Sequence, residues 1–401
     1  MVVNTSLKYT CLFGGGAIRG AAYAGAVKAL EEIGINPTNI GGSSVGSIVA
    51  ALMAVGYSAQ EMKEVFLDVN FDLFRDLQFG LGAKFALSKG EVFLDWIREL
   101  IEKKFYGTSY EKGKNRAVRF KDIEKNLFII TTDLSNFECK EFSKYETPDF
   151  EIATAVRISC SMPGLMKPLE YNNTLLVDGD LQKGVPMWKL SNNLMTEGER
   201  ILEFRLEGDF EGSNHNALDY VNTIYSCITA IATSFIVDLF GKRDRFDYVV
   251  INTGDVIVVD FNYPREKRED LIRSGYEQTM NYFTKVLPHK KEYLLNNYYK
   301  INKILKKIEK YIENKRIIKA KHAISEVFEE LFDMQEILDK QIIDRIKHFS
   351  KAFSHNLRYP ALFGSVKLED DVNIKKDLKM LIEVISDRIY EIESYIVKFP
   401  I

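Results

Sequence analysis

Gly42-Ser43-Ser44-Val45-Gly46 is the segment of this chain whose residue types and spacing most clearly suit a chemical task. Where a strand turns straight into a helix, the backbone is too crowded for side chains two residues either side of the apex. Gly42 and Gly46 meet that demand, and Ser44 is pushed outward above the N-terminal end of the helix pattern that follows, where backbone N–H groups favour negative charge. Such a serine can attack an acyl carbonyl if a base takes its proton and donors meet the developing oxyanion.

Donors are available upstream. The loop Gly14-Gly15-Gly16-Ala17-Ile18-Arg19-Gly20 follows the apolar run Tyr9–Phe13 and precedes the helix pattern Ala21–Ile33. Successive N–H groups at Gly14, Gly15 and Gly16 make a candidate oxyanion hole, and Arg19 either lends charge to it or holds the loop through backbone carbonyls. A phosphate cradle is the rival reading. It fails on spacing, because the third glycine of G-x-G-x-x-G falls on Arg19 and no Gly-Lys-Ser/Thr follows.

The base has fewer candidates. No histidine precedes His215, which sits beside the polar Gly212-Ser213-Asn214, and His289 adjoins Lys290 and Lys291. Either leaves a Ser-His-Asp arrangement open. The carboxylate alternative is Asp178 in Leu175-Leu176-Val177-Asp178-Gly179-Asp180, at the end of an apolar strand and before a glycine turn. Partial desolvation there raises basicity. An Asp before Gly also commonly hydrogen-bonds its own turn.

The elements that must position these residues follow from periodicity. Short apolar runs alternate with helical patterns from Lys8 to about Val286, which predicts an α/β fold with a mainly parallel central sheet. From Leu287 onward the only glycine is Gly364, and Tyr298, Ile301, Ile304, Leu305, Ile308, Tyr311 and Ile312 recur at helical spacing. Further stretches at Ile324–Phe353 and Leu378–Val397 complete a predicted helical hairpin or small bundle. The expected division is a catalytic domain over 1–286 and a helical C-terminal region over 287–401.

Taken in order, Gly14 to Gly20, Gly42 to Gly46 and Asp178-Gly179 resemble the patatin family of lipid acyl hydrolases. The stretch Ala155 to Pro168, with Arg157, Ser159, Ser161 and Pro163-Gly164, and the stretch Phe261 to Phe283 are also similar to that family. The resemblance covers about residues 8 to 286. It implies a three-layer α/β/α fold and a Ser44–Asp178 dyad that cleaves phospholipid or other acyl-lipid esters with no metal or other cofactor. It also implies an oxyanion hole at Gly14, Gly15, Gly16 and Arg19, with Gly42, Gly46 and Gly179 supporting the elbow and turn. Two positions depart from the family pattern, Asp180 after Asp-Gly and Gly184 before Val185-Pro186, and a second carboxylate at Asp180 can raise the pKa of Asp178 if both face the cleft.

Bulk properties narrow the partners. A hydrophobic share of 46% with 28% charged residues argues against wholesale disorder, and a net charge of −3 gives no overall attraction to nucleic acid or anionic membrane. Local features remain. The stretch Lys300–Lys321 forms either a membrane-facing basic surface or a solvated helix face, and its apolar stripes also suit a homodimer or an activator. The aromatic Phe66–Phe93 stretch suits either a cap over a lipid cleft or core packing, and Lys89-Gly90 offers charge to a head group. Tyr220–Val237 carries too many polar residues for a transmembrane span and reads as a buried helix. With no leader pattern and four scattered cysteines read as free thiols, the expected location is cytoplasmic, with peripheral membrane contact as an option.

Overall fold

The computed structural model describes residues 8–70, 86–181, 199–208, 223, 227, 243–256, 263–334, 337–360 and 365–394. The chain divides into two compact units. Among the described residues the first comprises 8–237 and 247–283, and the second comprises 243–246 and 284–394.

The first unit is built on an eight-stranded sheet. Its strands are β1 (Tyr9–Phe13), β2 (Asn39–Ser43), β4 (Asn126–Asp133), β5 (Glu138–Ser143), β7 (Leu169–Tyr171), β8 (Thr174–Asp178), β9 (Arg200–Glu207) and β10 (Phe246–Asn252). They run in the order β10-β9-β1-β2-β4-β8-β7, with β5 paired to β4. The central pairs β9–β1, β1–β2 and β2–β4 are parallel, and β8, β7 and β5 are antiparallel additions. This is the predicted α/β class. A separate parallel pair joins β3 (Ala86–Ser88) to β6 (Gly164–Met166).

Two sets of helices accompany the sheet, α1 (Ala21–Ile33) with α3 (Ala59–Asp68) and α6 (Arg265–Asn281), and α2 (Val45–Ala54) with α4 (Glu91–Tyr106) and α5 (Ile152–Ser159). Helices α1 and α6 touch backbone to backbone. A Cβ on Gly25 would lie 1.8 Å from Ile272 O, and one on Gly275 would lie 1.9 Å from Ala22 O. Each glycine removes the side chain that would hold the other helix away.

In the second unit, α7 (Leu287–Glu313), α8 (Ile317–Met334), α9 (Lys340–His355) and α10 (Asp371–Ser394) enclose an apolar core that includes Ile301, Ile308, Ile346, Phe353 and Ile385. A two-residue antiparallel pair, β11 (Leu357–Arg358) with β12 (Lys367–Leu368), joins α9 to α10. Among the lysines of the basic stretch, Lys300 pairs with Glu330 and Lys307 with Glu326 at 3.0 Å, so the neighbouring helix neutralises part of that face.

The unit also takes in residues 243–246, far from the helices in sequence. Asp244 is buried, receives two hydrogen bonds from Arg388 at 2.6 and 2.8 Å, and accepts one from Tyr298 Oη at 2.7 Å. The helical unit therefore differs from the contiguous 287–401 region expected from composition. No described helix is long and apolar enough to cross a membrane. Apart from Thr223 and Cys227, the Tyr220–Val237 helix reading lies outside the described residues, as does the Phe71–Phe85 part of the aromatic cap, while Phe66 and Phe93 are core.

Candidate active site

Strand β4 brings the serine and the aspartate together. Its pairing changes from β2 to β8 between two consecutive residues, with Ser43 opposite Ile130 and Asp178 opposite Thr131. The C-terminal ends of β2 and β8 therefore meet. A Cβ on Gly179 would lie 2.1 Å from Ile130 O and 3.2 Å from Ser43 Cβ, so only glycine lets the Asp178 turn close against the serine turn.

Ser44 stands at the elbow between β2 and α2, with φ 50° and ψ −132°. That conformation is strained for a residue with a Cβ, and neighbours fix it. Ser44 N donates to Ser159 Oγ (3.0 Å), which in turn donates to Ile130 O (2.6 Å). Ser44 O accepts from Ser47 N (2.9 Å), Ser47 Oγ (2.6 Å) and Cys160 Sγ (3.2 Å). The flanking glycines lie in close backbone contacts. A Cβ on Gly42 would lie 2.2 Å from Gly46 O, and one on Gly46 would lie 2.1 Å from Phe13 O.

Asp178 is fully buried. Its N–H donates to Ser161 O (3.0 Å), and its Oδ1 accepts from Asp180 N (2.8 Å), so the carboxylate does hydrogen-bond its own turn. Burial, helped by the negative charge of Asp178, pushes the Cys160 thiol well above its ordinary pKa. Cys160 is thus a neutral packing and donor group at the elbow.

The glycine loop divides by role. Gly14 N donates to Phe204 O (3.0 Å), extending the sheet, so its amide is already engaged and does not point at an oxyanion. Gly15 lies over Ser44, and a Cβ there would be 3.0 Å from Ser44 Cβ. Gly16 has φ 148° and caps the short helical turn Ala17–Gly20. The Gly15 and Gly16 amides have no backbone acceptor among the described residues. Arg19 is tied to a backbone carbonyl outside the loop. It is buried, donates from Nε to Val256 O (2.8 Å) and packs against Gly208, and burial lowers its pKa to about 10.

Arg157, singled out in the sequence only within the family-like stretch, is buried and ties Ser161 Oγ (3.1 Å) to Lys89 O (2.6 Å). Sequence reasoning missed Glu203 and Arg205, which lie buried in β9, and the available signal was charge inside an otherwise apolar strand. Asp180 is turned toward Ser43 and Arg205. Lys89 is exposed, His289 is exposed in the helical unit, and Gly184 and His215 lie outside the described residues.

Fold and site together define an α/β protein with a serine elbow, a glycine loop and a buried aspartate at adjoining strand ends. Residues 12–190 match the patatin-like phospholipase family, a family of lipid hydrolases. It is 29% identical over 301 residues to uncharacterized protein R571 of Acanthamoeba polyphaga mimivirus, a match spanning 72% of this chain and 97% of the viral protein. It is 31% identical over 189 residues to probable lipid hydrolase 463L of Invertebrate iridescent virus 6, covering 44% of this chain and 61% of that protein. The fold is also similar to VipD from Legionella pneumophila, with a TM-score of 0.52 at 14% identity over 97% of this chain and 91% of that one.

Proposed function

We propose that the chain hydrolyses carboxylic ester bonds of phospholipids or related acyl lipids through a Ser44–Asp178 dyad. Asp178 takes the Ser44 hydroxyl proton as the oxygen attacks the ester carbonyl. The tetrahedral oxyanion is met by the Gly15 and Gly16 amides and by the N-terminal end of α2. Collapse of that intermediate breaks the ester C–O bond, and the proton returns from Asp178 to the departing alcohol. A water molecule then attacks the acyl-serine, giving its proton to Asp178, and the fatty acid leaves as Ser44 is restored.

The observation that carries this reading is the consecutive pairing of Ser43 and Asp178 on β4, which brings two distant sequence segments to one point. The strained Ser44 backbone supports it, because such strain concentrates at functional sites. Ser44→Ala and Asp178→Asn should each abolish release of fatty acid from mixed phospholipid vesicles and uptake of a fluorophosphonate probe. His215→Ala combined with His289→Ala should leave both intact. Loss of activity in that folded double variant, or full activity in Asp178→Asn, would overturn the dyad.

A further inference from the structure

Asp180 departs from the family pattern and is buried beside the proposed dyad. Its carboxylate accepts from Ser43 Oγ (2.8 Å) and from Arg205 Nη1 (3.1 Å), while its backbone N–H holds Asp178 Oδ1 (2.8 Å). Arg205 reaches it from β9, and its Nε donates to Glu203 Oε1 (2.6 Å). The glycine loop lies flat against this pair. A Cβ on Gly14 would be 2.7 Å from Arg205 Cδ and 2.8 Å from its Nη1, and a Cβ on Gly15 would be 2.6 Å from Asp180 Oδ2. Tyr23 Oη donates to Gly14 O (2.9 Å), fixing the loop from the helix side.

We propose that Asp180 and Arg205 are positioning residues, a buried ion pair that supports the Gly14–Gly15 backbone and holds Ser43 and the Asp178 carboxylate in register with it. The proposal rests on the Ser44–Asp178 reading. The pair also has an electrostatic duty. A lone carboxylate two residues from Asp178 and against Gly15 would oppose both the ionised base and the developing negative charge. Arg205 offsets it. Burial alone would lower the Arg205 pKa, but Glu203 and Asp180 outweigh this and keep it well above its ordinary value, so it stays a cation. The other titratable groups facing this cluster among the described residues are Glu203, Tyr23, Tyr248, Cys160 and Arg157. Burial raises Glu203 against the opposing charge of Arg205.

The test is the pH dependence of kcat/KM on a soluble p-nitrophenyl ester for the full chain and for Asp180→Asn, Arg205→Met and the double variant, with thermal melts to show folding. Arg205→Met should move the acidic limb up by about one pH unit, and Asp180→Asn should move it down by a similar amount. The charge-balanced double variant should return it to the wild-type position. In Arg205→Met, kcat should fall about 10- to 100-fold with little change in KM, because the loop loses its support. General structural damage would not move the limb in opposite directions. If Arg205→Met does not fold, Asp180→Asn and the double variant carry the comparison alone. Coincident limbs for wild type and Asp180→Asn would overturn the inference while Ser44→Ala remains inactive. Activity in Ser44→Ala would instead overturn the dyad, and this inference with it.

Discussion

Replacing Ser44 with glycine should make the protein more stable than replacing it with alanine. The φ 50°, ψ −132° of Ser44 is close to the mirror image of extended polyproline-type backbone, which lies near −75°, +145°. An L residue held there costs on the order of 1–3 kcal/mol. Glycine has no Cβ and adopts either hand about equally, although it loses about 0.5–1 kcal/mol more backbone entropy on folding than alanine. The bonds that fix the elbow run to Ser44 N and O, so both substitutions keep them. Alanine keeps the strain and glycine releases it. The difference should be about 0.5–2 kcal/mol in favour of Ser44→Gly, with roughly 2–4 °C in Tm for each kcal/mol in a unit of this size. Calorimetric melts of both inactive variants check it. A Ser44→Gly protein melting below Ser44→Ala would refute the argument that this backbone is under strain.

Three further outcomes are expected. Arg388→Ala should destabilise the protein by about 3–5 kcal/mol in urea titrations, because it leaves the buried Asp244 carboxylate without its bidentate partner. A truncation after Val286 removes Arg388 and Tyr298 together, so residues 243–246 should lose their ordered packing, read as fast amide hydrogen exchange at those positions. Cys160, its thiol pushed up by burial and by Asp178, stays protonated through pH 8–9, so mass spectrometry should find native Cys160 unalkylated by iodoacetamide under conditions that modify the exposed Cys227.

What the sequence revealed is what its local geometry dictates. Gly42 and Gly46 are legible because the strand–turn–helix they serve spans only a few residues, and the same holds for the apolar stripes of α7. Gly179 is legible as a turn residue, but its tighter constraint comes from Ile130 O, nearly fifty positions away in the chain, which no local pattern encodes. The charges of β9, Arg200, Glu203 and Arg205, carry no local signal of burial. In the fold β9 lies between β10 and β1, and those charges are buried because each meets a partner, Asp247 for Arg200 and Asp180 with Glu203 for Arg205. Composition marks the start of the helical unit near residue 287 but not the inclusion of 243–246, since that depends on Arg388, 144 residues later. The same distinction applies at the site. The serine and its glycines are fixed by the turn they occupy, whereas Asp180, Arg205 and Ser159 acquire their parts only when separate strands and helices converge on the end of β2.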